Sequence, residues 1–250
     1  MKKNLFYFLA ASFVVFASCS KDDDSISEEK LLLPKKEIYT NASYPQENST
    51  VSYVYDGNKI VSLTYDNGDK TNFKYTGNFI TSAVYTESYG GRTYSTTTTF
   101  TYENNRLKSY LEVYSDSSSS RKKIYTYNEN GTISTKTVLI NPETQEESNY
   151  ENSLFTLDSK GNIVKAEFNG YTNTIEYDTK NSPFKNVLGY SLLLDSDIFD
   201  KEINSSNNVL KVIEKTGEVV EGTTIFVNTY NSDNYLIKSA NGGESFEYTY

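Results

Sequence analysis

From Thr50 onward, apolar and polar residues alternate with a period of two, and clusters of Asn, Asp and Gly interrupt the alternation at short intervals. Side chains alternate across a strand, so each run predicts a half-buried β-strand and each cluster a turn. One unit recurs. It reads Tyr53-Val54-Tyr55-Asp56-Gly57-Asn58-Lys59-Ile60, then Phe73-Lys74-Tyr75-Thr76-Gly77-Asn78-Phe79-Ile80, then Phe100-Thr101-Tyr102-Glu103-Asn104-Asn105-Arg106-Leu107. Further copies begin at Tyr125, Phe155, Ile175 and Asn228. In aromatic-x-Tyr both rings face one side of a strand, and Asp, Asn and Gly supply the turn that follows. The returning strand of the first unit sets Val61, Leu63 and Tyr65 against Ser62 and Thr64. Asp66-Asn67-Gly68-Asp69 carries the strongest hairpin signal, since Asn-Gly favours a type I′ turn with both residues at positive φ. The pattern predicts an all-β fold of roughly 13 to 15 antiparallel strands. Single hairpins cannot bury an aromatic face alone, so they should stack into a curved sheet or an open, barrel-like structure.

The rhythm breaks once, between Asn181 and Asn208. Ser182-Pro183-Phe184-Lys185-Asn186-Val187-Leu188 and Leu192-Leu193-Leu194 predict a short helical or irregular excursion that plugs or caps an end of the sheet. Pro183 suits the first turn of such a segment.

The N-terminus follows another rule. Lys2 and Lys3 precede an apolar run of about 12 residues, Leu5 to Phe16, and then Ala17-Ser18-Cys19-Ser20. This is the order of a secretory signal, and it is shorter than the ~20 residues a membrane-crossing helix needs. Cys19 is the only cysteine in 250 residues and stands where a lipoprotein signal is cut and the thiol acylated. Residues 1–18 are therefore expected to be a signal peptide. Residues 19–48 are an acidic tether in which Glu37-Ile38-Tyr39-Thr40 can dock as an edge strand, and residues 49–250 are a Tyr-rich domain. The lipid on Cys19 would make a membrane the first partner. Lys21-Asp22-Asp23-Asp24, just past the cysteine, resembles the export signal that sends lipoproteins of the Bacteroidota to the outer cell surface. The expected location is the outer membrane, lipid-anchored and surface-exposed, with the periplasmic leaflet as the alternative.

Composition narrows the chemistry. Loss of residues 1–18 removes two lysines and no acid, moving the formal charge from −9 to −11, which disfavours nucleic acid as a partner. The chain has 23 Tyr and 13 Phe but no His, so Ser-His-Asp catalysis, His-ligated zinc and the commonest general base are excluded. No phosphate-cradling or dinucleotide fingerprint is present. Paired carboxylates among Asp195, Asp197, Asp200 and Glu202 are the remaining catalytic option, and a solvated loop explains them better, so no enzyme activity is expected. Asp195, Asp197 and Asp200 are also the candidate ligand or calcium residues, though the Gly and terminal Glu of a Ca²⁺ loop are missing. No other cofactor is indicated.

The Tyr-Asp-x-x-Gly-x-Ile unit partly resembles the YD repeats of the Rhs-type family, without that family's Gly-Arg after the turn. The whole layout is similar to a Bacteroidota lipoprotein family of unknown function with a porin-like β fold. The resemblance rests on Cys19, the hairpins from Tyr53 to Tyr177, Asn181-Ser182-Pro183-Phe184-Lys185-Asn186 and Ser206-Asn207-Asn208-Val209. It implies a curved or barrel-like antiparallel sheet and no catalytic residues. The expected function is a surface binding or accessory module for a glycan, peptide or partner protein. A structural envelope component and a small outer-membrane barrel are the alternatives.

Overall fold

A computed structural model describes residues 31–117, 119–195 and 205–250. Cys19, Lys21, Asp22, Asp23, Asp24, Asp197 and Asp200 lie outside the described residues. The strands are β1 (Lys36–Asn41), β2 (Ser49–Asp56), β3 (Lys59–Tyr65), β4 (Lys70–Thr76), β5 (Phe79–Tyr89) and β6 (Arg92–Glu103). They continue as β7 (Arg106–Tyr114), β8 (Ser120–Tyr127), β9 (Thr132–Ile140), β10 (Glu147–Leu157), β11 (Ile163–Phe168) and β12 (Tyr171–Tyr177). After the excursion come β13 (Val209–Thr216), β14 (Val219–Ile225), β15 (Val227–Tyr230), β16 (Leu236–Asn241) and β17 (Glu244–Thr249).

Every strand pair is antiparallel, and the pairing runs almost completely round a barrel. β1 bonds to β2 on one side and to β17 on the other. It is thus a closing strand, where an edge strand within a tether was expected, and the folded unit begins at Leu31. β14 and β15 are two halves of one bent strand. The first half pairs with β13, the second with β16, and the Phe226 N–H donates to Leu210 O between them. That change of partner is the seam.

The repeat owes its regularity to a bulge. Register slips just before the second aromatic of three units, at Val54/Tyr55, Lys74/Tyr75 and Thr101/Tyr102, and at the matching place before Leu157, whereas the Tyr125 unit pairs without a slip. The returning strand carries one extra residue there, which re-phases the side chains. Val61 is such a residue, so it is 41% exposed and does not share the inner face with Leu63, as simple alternation requires. Ile60, Ile80, Leu107, Ile133 and Ile163 are driven inward instead.

The tyrosine of one unit then staples its neighbour. Tyr102 donates its hydroxyl to Ile80 O (2.7 Å), Tyr127 to Leu107 O (3.1 Å), Tyr177 to Ile163 O (2.9 Å) and Tyr250 to Leu236 O (2.7 Å). A bulge leaves main-chain groups without a ladder partner, and the phenol supplies one while its ring fills the core. This is a physical reason for so much Tyr and no Trp.

The turn at Asp66–Asp69 differs from expectation. Gly68 lies at φ +95 but Asn67 is not at positive φ, and the Gly68 N–H bonds Tyr65 O (3.0 Å) while the Tyr65 N–H bonds Asp69 O (2.8 Å). This is a type I turn closed by one left-handed residue, the three-residue loop of a G1 bulge. Both central residues are at positive φ in the turns at Gly90-Gly91, Asn104-Asn105 and Asn169-Gly170.

The excursion after β12 enters the barrel. Successive i→i+3 bonds (Lys185 to Ser182, Val187 to Phe184, Tyr190 to Val187, Leu193 to Tyr190) wind it into tight turns, and among its described residues there is one 3₁₀ segment, Tyr190–Leu192, and no α-helix. Phe184, Val187, Tyr190, Leu193 and Leu194 are buried in the same core as the inward residues of the strands. Phe184 packs on Tyr190 (5.0 Å between centroids) and meets Tyr53 and Tyr248 edge-on (5.4 and 6.2 Å). Gly189 passes so close to the β4–β5 turn that a Cβ there would lie 2.9 Å from Asn78 O. This plug makes one end of the barrel dry; the other end is the mouth.

Candidate ligand pocket in the barrel lumen

Toward the mouth, the inward positions turn polar. Arg121, Lys123, Tyr125 and Tyr127 share one parity on β8, so two cations point into the lumen in phase with the stapling aromatics. The Arg121 Nε donates to Glu112 Oε2 across the β7–β8 pair (2.5 Å). That carboxylate holds the guanidinium's pKa above its usual value, against the opposing effect of burial. Lys123 pairs with Asp195 at the end of the plug, and Tyr125 donates to the other oxygen of Asp195 (2.6 Å). The Tyr125 phenol is pushed well above its ordinary pKa by burial first and by the Asp195 charge second. Lys123 also lies 5.4 Å from the Phe155 ring centroid.

The side chains of Lys123 and Asp195 are only 10% and 11% exposed, so neither charge could be left alone cheaply. The pair fastens the plug to the wall. Of the three acids read as a calcium cluster, Asp195 is the one described, and both its oxygens are already engaged by Lys123 and Tyr125. Among the described residues no three acids are grouped as cation ligands.

Beside this pair opens a hollow of about 260 Å³. Its floor is one inward row across three strands, Phe155 opposite Ala166 and Ala166 opposite Asn173. Ala166, the smallest side chain of the row, makes the depression. The row above contributes Ser153 and Phe168, which are also opposite each other. Tyr110, Arg121, Lys123, Glu151 and Asp195 complete the lining. Glu151 accepts a hydrogen bond from Ser153 (3.1 Å), and no ion pair engages it among the described residues. Asn173 makes no side-chain hydrogen bond among the described residues.

A second lumenal hollow of about 380 Å³ lies across the barrel, among Glu37, Glu47, Glu244, Tyr39, Tyr65 and Phe246. Its acids are held by neutral donors: Tyr53 to Glu37 (3.1 Å), Tyr39 to Glu244 (3.0 Å) and Asn41 to Glu47 (3.2 Å). A broader depression of about 790 Å³ lies on the outer wall over β8 to β12, where Ser134, Lys136, Asn152 and Thr172 face solvent. The 260 Å³ hollow is the stronger candidate, because it joins aromatic walls to converging polar groups.

The outer wall is largely polar. Lys165–Glu167 (2.8 Å), Lys211–Glu176 (3.1 Å) and Lys238–Glu247 (2.6 Å) are ion pairs on its surface; exposed apolar residues stand singly at Val54 and Val113 and in a group, Val219, Val220, Ile225 and Val227, along β14 and β15.

No family model matches the chain, and no curated protein matches it. Among solved structures it is similar to a porin-like protein from Bacteroides vulgatus, with a TM-score of 0.54 and 9% identity over 88% of this chain and 98% of that one. The fold is porin-like. A porin-like protein from Bacteroides uniformis aligns with a TM-score of 0.47 and 12% identity, over 86% of this chain and 97% of that one. In the present porin-like barrel, the plug occupies the space that an open channel needs.

Lys123, Arg121, Glu112, Glu151 and Asn173 were not singled out by sequence reasoning. A signal existed for the charged ones: each falls in phase with an inward aromatic, Arg121 and Lys123 with Tyr125, Glu112 with Tyr110, and Glu151 with Phe155.

Proposed function

We propose that this chain is a lipid-tethered cell-envelope protein whose barrel stands in water and takes a small polar ligand into its lumen. The observation that carries the ligand reading is the hollow beside Lys123–Asp195. There Glu151, bonded by Ser153 alone, and Asn173 are directed into an aromatic-walled space without ion-pair partners among the described residues. Pockets of this kind fix a ligand with a few placed polar groups and bind it through apolar area.

The tether reading rests on the signal-like N-terminus and the lone Cys19. Both chain ends of the barrel point the same way, since β1 starts and β17 finishes at the plugged end. The polar outer wall supports a barrel in water. Lipid-facing strands need an apolar band, and a Lys or Arg at the bilayer midplane costs about 2–4 kcal/mol. Lys136, outward and exposed in the middle of β9, would incur that cost.

Two measurements test this. Palmitate should label the wild-type chain and not Cys19→Ser; equal labelling removes the tether. With the Cys19→Ser chain, a panel of small polar metabolites screened by ligand-observed NMR should yield binders that are lost in Ala166→Leu, which fills the hollow. Binding that survives Ala166→Leu would move the site elsewhere.

A further inference from the structure

The hollow also constrains what can enter it, and this step rests on the lumen reading above. Its two cations are spoken for, Arg121 by Glu112 and Lys123 by Asp195. The remaining acid, Glu151, adds a negative charge that no cation among the described residues balances. An anionic ligand would find both cations of the lining already paired and would be repelled by Glu151. A ligand rich in hydrogen-bond donors would be welcomed, because an ionised carboxylate only accepts. Asn173 offers two donors and an acceptor, and Ser153 one hydroxyl. The apolar part of the lining is aromatic (Tyr110, Phe155, Phe168) and flat, and it stands beside these polar groups. At about 260 Å³ the space falls below the ~300–1,000 Å³ of drug-sized sites.

We infer that the hollow takes a neutral saccharide, about one ring in size, with its C–H face against the aromatic wall and its hydroxyls directed to Glu151, Asn173 and Ser153. A pyranose is the common polar molecule with an apolar face and several donors on its edge, which is the complement of this lining. Ala166 matters because any larger side chain in the row would occupy the ring's place.

The test is saturation-transfer NMR on the Cys19→Ser chain with neutral hexoses, N-acetylhexosamines and the matching hexuronates. At least one neutral sugar should bind, and its uronate should bind more weakly. Asn173→Ala and Glu151→Gln should each weaken binding about tenfold, the scale of a lost hydrogen bond to a charged or buried group. Neither residue anchors the plug, so both variants should melt like the parent. If a uronate binds better than its neutral partner, or if Asn173→Ala and Glu151→Gln bind as the parent does, the saccharide reading is overturned. If no sugar binds but amino acids or dicarboxylates do, and Ala166→Leu abolishes that, the lumen site stands and its saccharide does not. If nothing in either panel binds, both readings fall.

Discussion

The two ends of this barrel are built from the same strands but by different rules. At the plugged end most repeats draw on the same three parts: a bulge, an inward Ile or Leu, and a tyrosine whose hydroxyl reaches the neighbouring unit. At the mouth no such repetition holds. Inward positions there include Glu112, Arg121 and Lys123, held in ion pairs, and Glu151, which only Ser153 engages among the described residues. The plugged end therefore stores the stability, in aromatic area and satisfied main chain. The mouth is relieved of that task, and its side chains can vary. Function is more readily accommodated in the second kind of region than in the first.

The largest expected difference between the ends is in core truncation. Phe184 is 2% exposed and touches three other rings, so Phe184→Ala should cost about 3–5 kcal/mol in transfer and cavity terms. Phe168, half-buried at the mouth, should lose only about 1 kcal/mol on the same change. Urea unfolding of the two variants would decide it. Equal midpoints would mean that the plug does not hold the barrel together.

The next effect lies where the two ends meet. Asp195→Ala would leave Lys123 buried and unpaired, a loss of about 3 kcal/mol, at the low end for such pairs because both groups keep slight solvent contact. The double variant Lys123→Met with Asp195→Leu should recover most of it, since an apolar pair of similar volume replaces a desolvated ion pair. Thermal melts of single and double variants would show this. A silent Asp195→Ala would make the carboxylate a loop acid, as the sequence suggested.

Much of the plugged end was legible in the sequence. Aromatic-x-Tyr followed by Asn, Asp and Gly announces inward rings and a tight turn, and a break in the repeat at Asn181–Asn208 announces a different task for those residues. The bulge was not legible. Val61 looks inward by alternation, and only the main-chain register reveals one residue too many. Closure was hidden too, because Lys36–Asn41 finds β17 more than 200 residues away and nothing local marks that pairing. At the mouth, the acids of the excursion drew attention because they are adjacent in sequence. The groups facing the hollow are scattered over five strands and gain meaning only when the sheet curls.

Alkali attacks the plugged end through its staples. Burial pushes the Tyr75 and Tyr230 hydroxyls up to about 12, the charge of Asp178 adding to burial at Tyr230, and burial holds Tyr102, Tyr177 and Tyr250 above their ordinary value as well. A folded pKa above the unfolded value of 10.0 means that the stabilisation is complete below pH 10 and is lost as pH climbs through about 12. A phenolate also cannot donate to Ile80 O or Leu236 O. Tyrosinate absorbance and loss of the far-UV sheet signal should consequently rise together above pH 10. Full ionisation of the tyrosines with the sheet intact would show that the staples contribute little.

The smallest effect expected is at a turn of the mouth, and it separates two turn geometries. In a type I′ turn both Asn67 and Gly68 would need positive φ, and replacing either by a β-carbon residue without a compensating side chain would be costly. Here only Gly68 has it, at +95, and a Cβ on Gly68 would meet no atom within 4 Å. The cost of Gly68→Ala is thus purely one of backbone conformation, about 1 kcal/mol. Asn67→Ala should cost about half of that or less, because it loses only the local bonds from Asn67 to the Asp69 N–H and carboxylate, both exposed to water. Gly68→Val should be worse than Gly68→Ala, since a β-branched residue fits positive φ poorly. Denaturation midpoints in the order parent, Asn67→Ala, Gly68→Ala, Gly68→Val are expected. Equal losses at Asn67 and Gly68 would restore the type I′ turn and, with it, a hairpin whose shape is set by two residues rather than one.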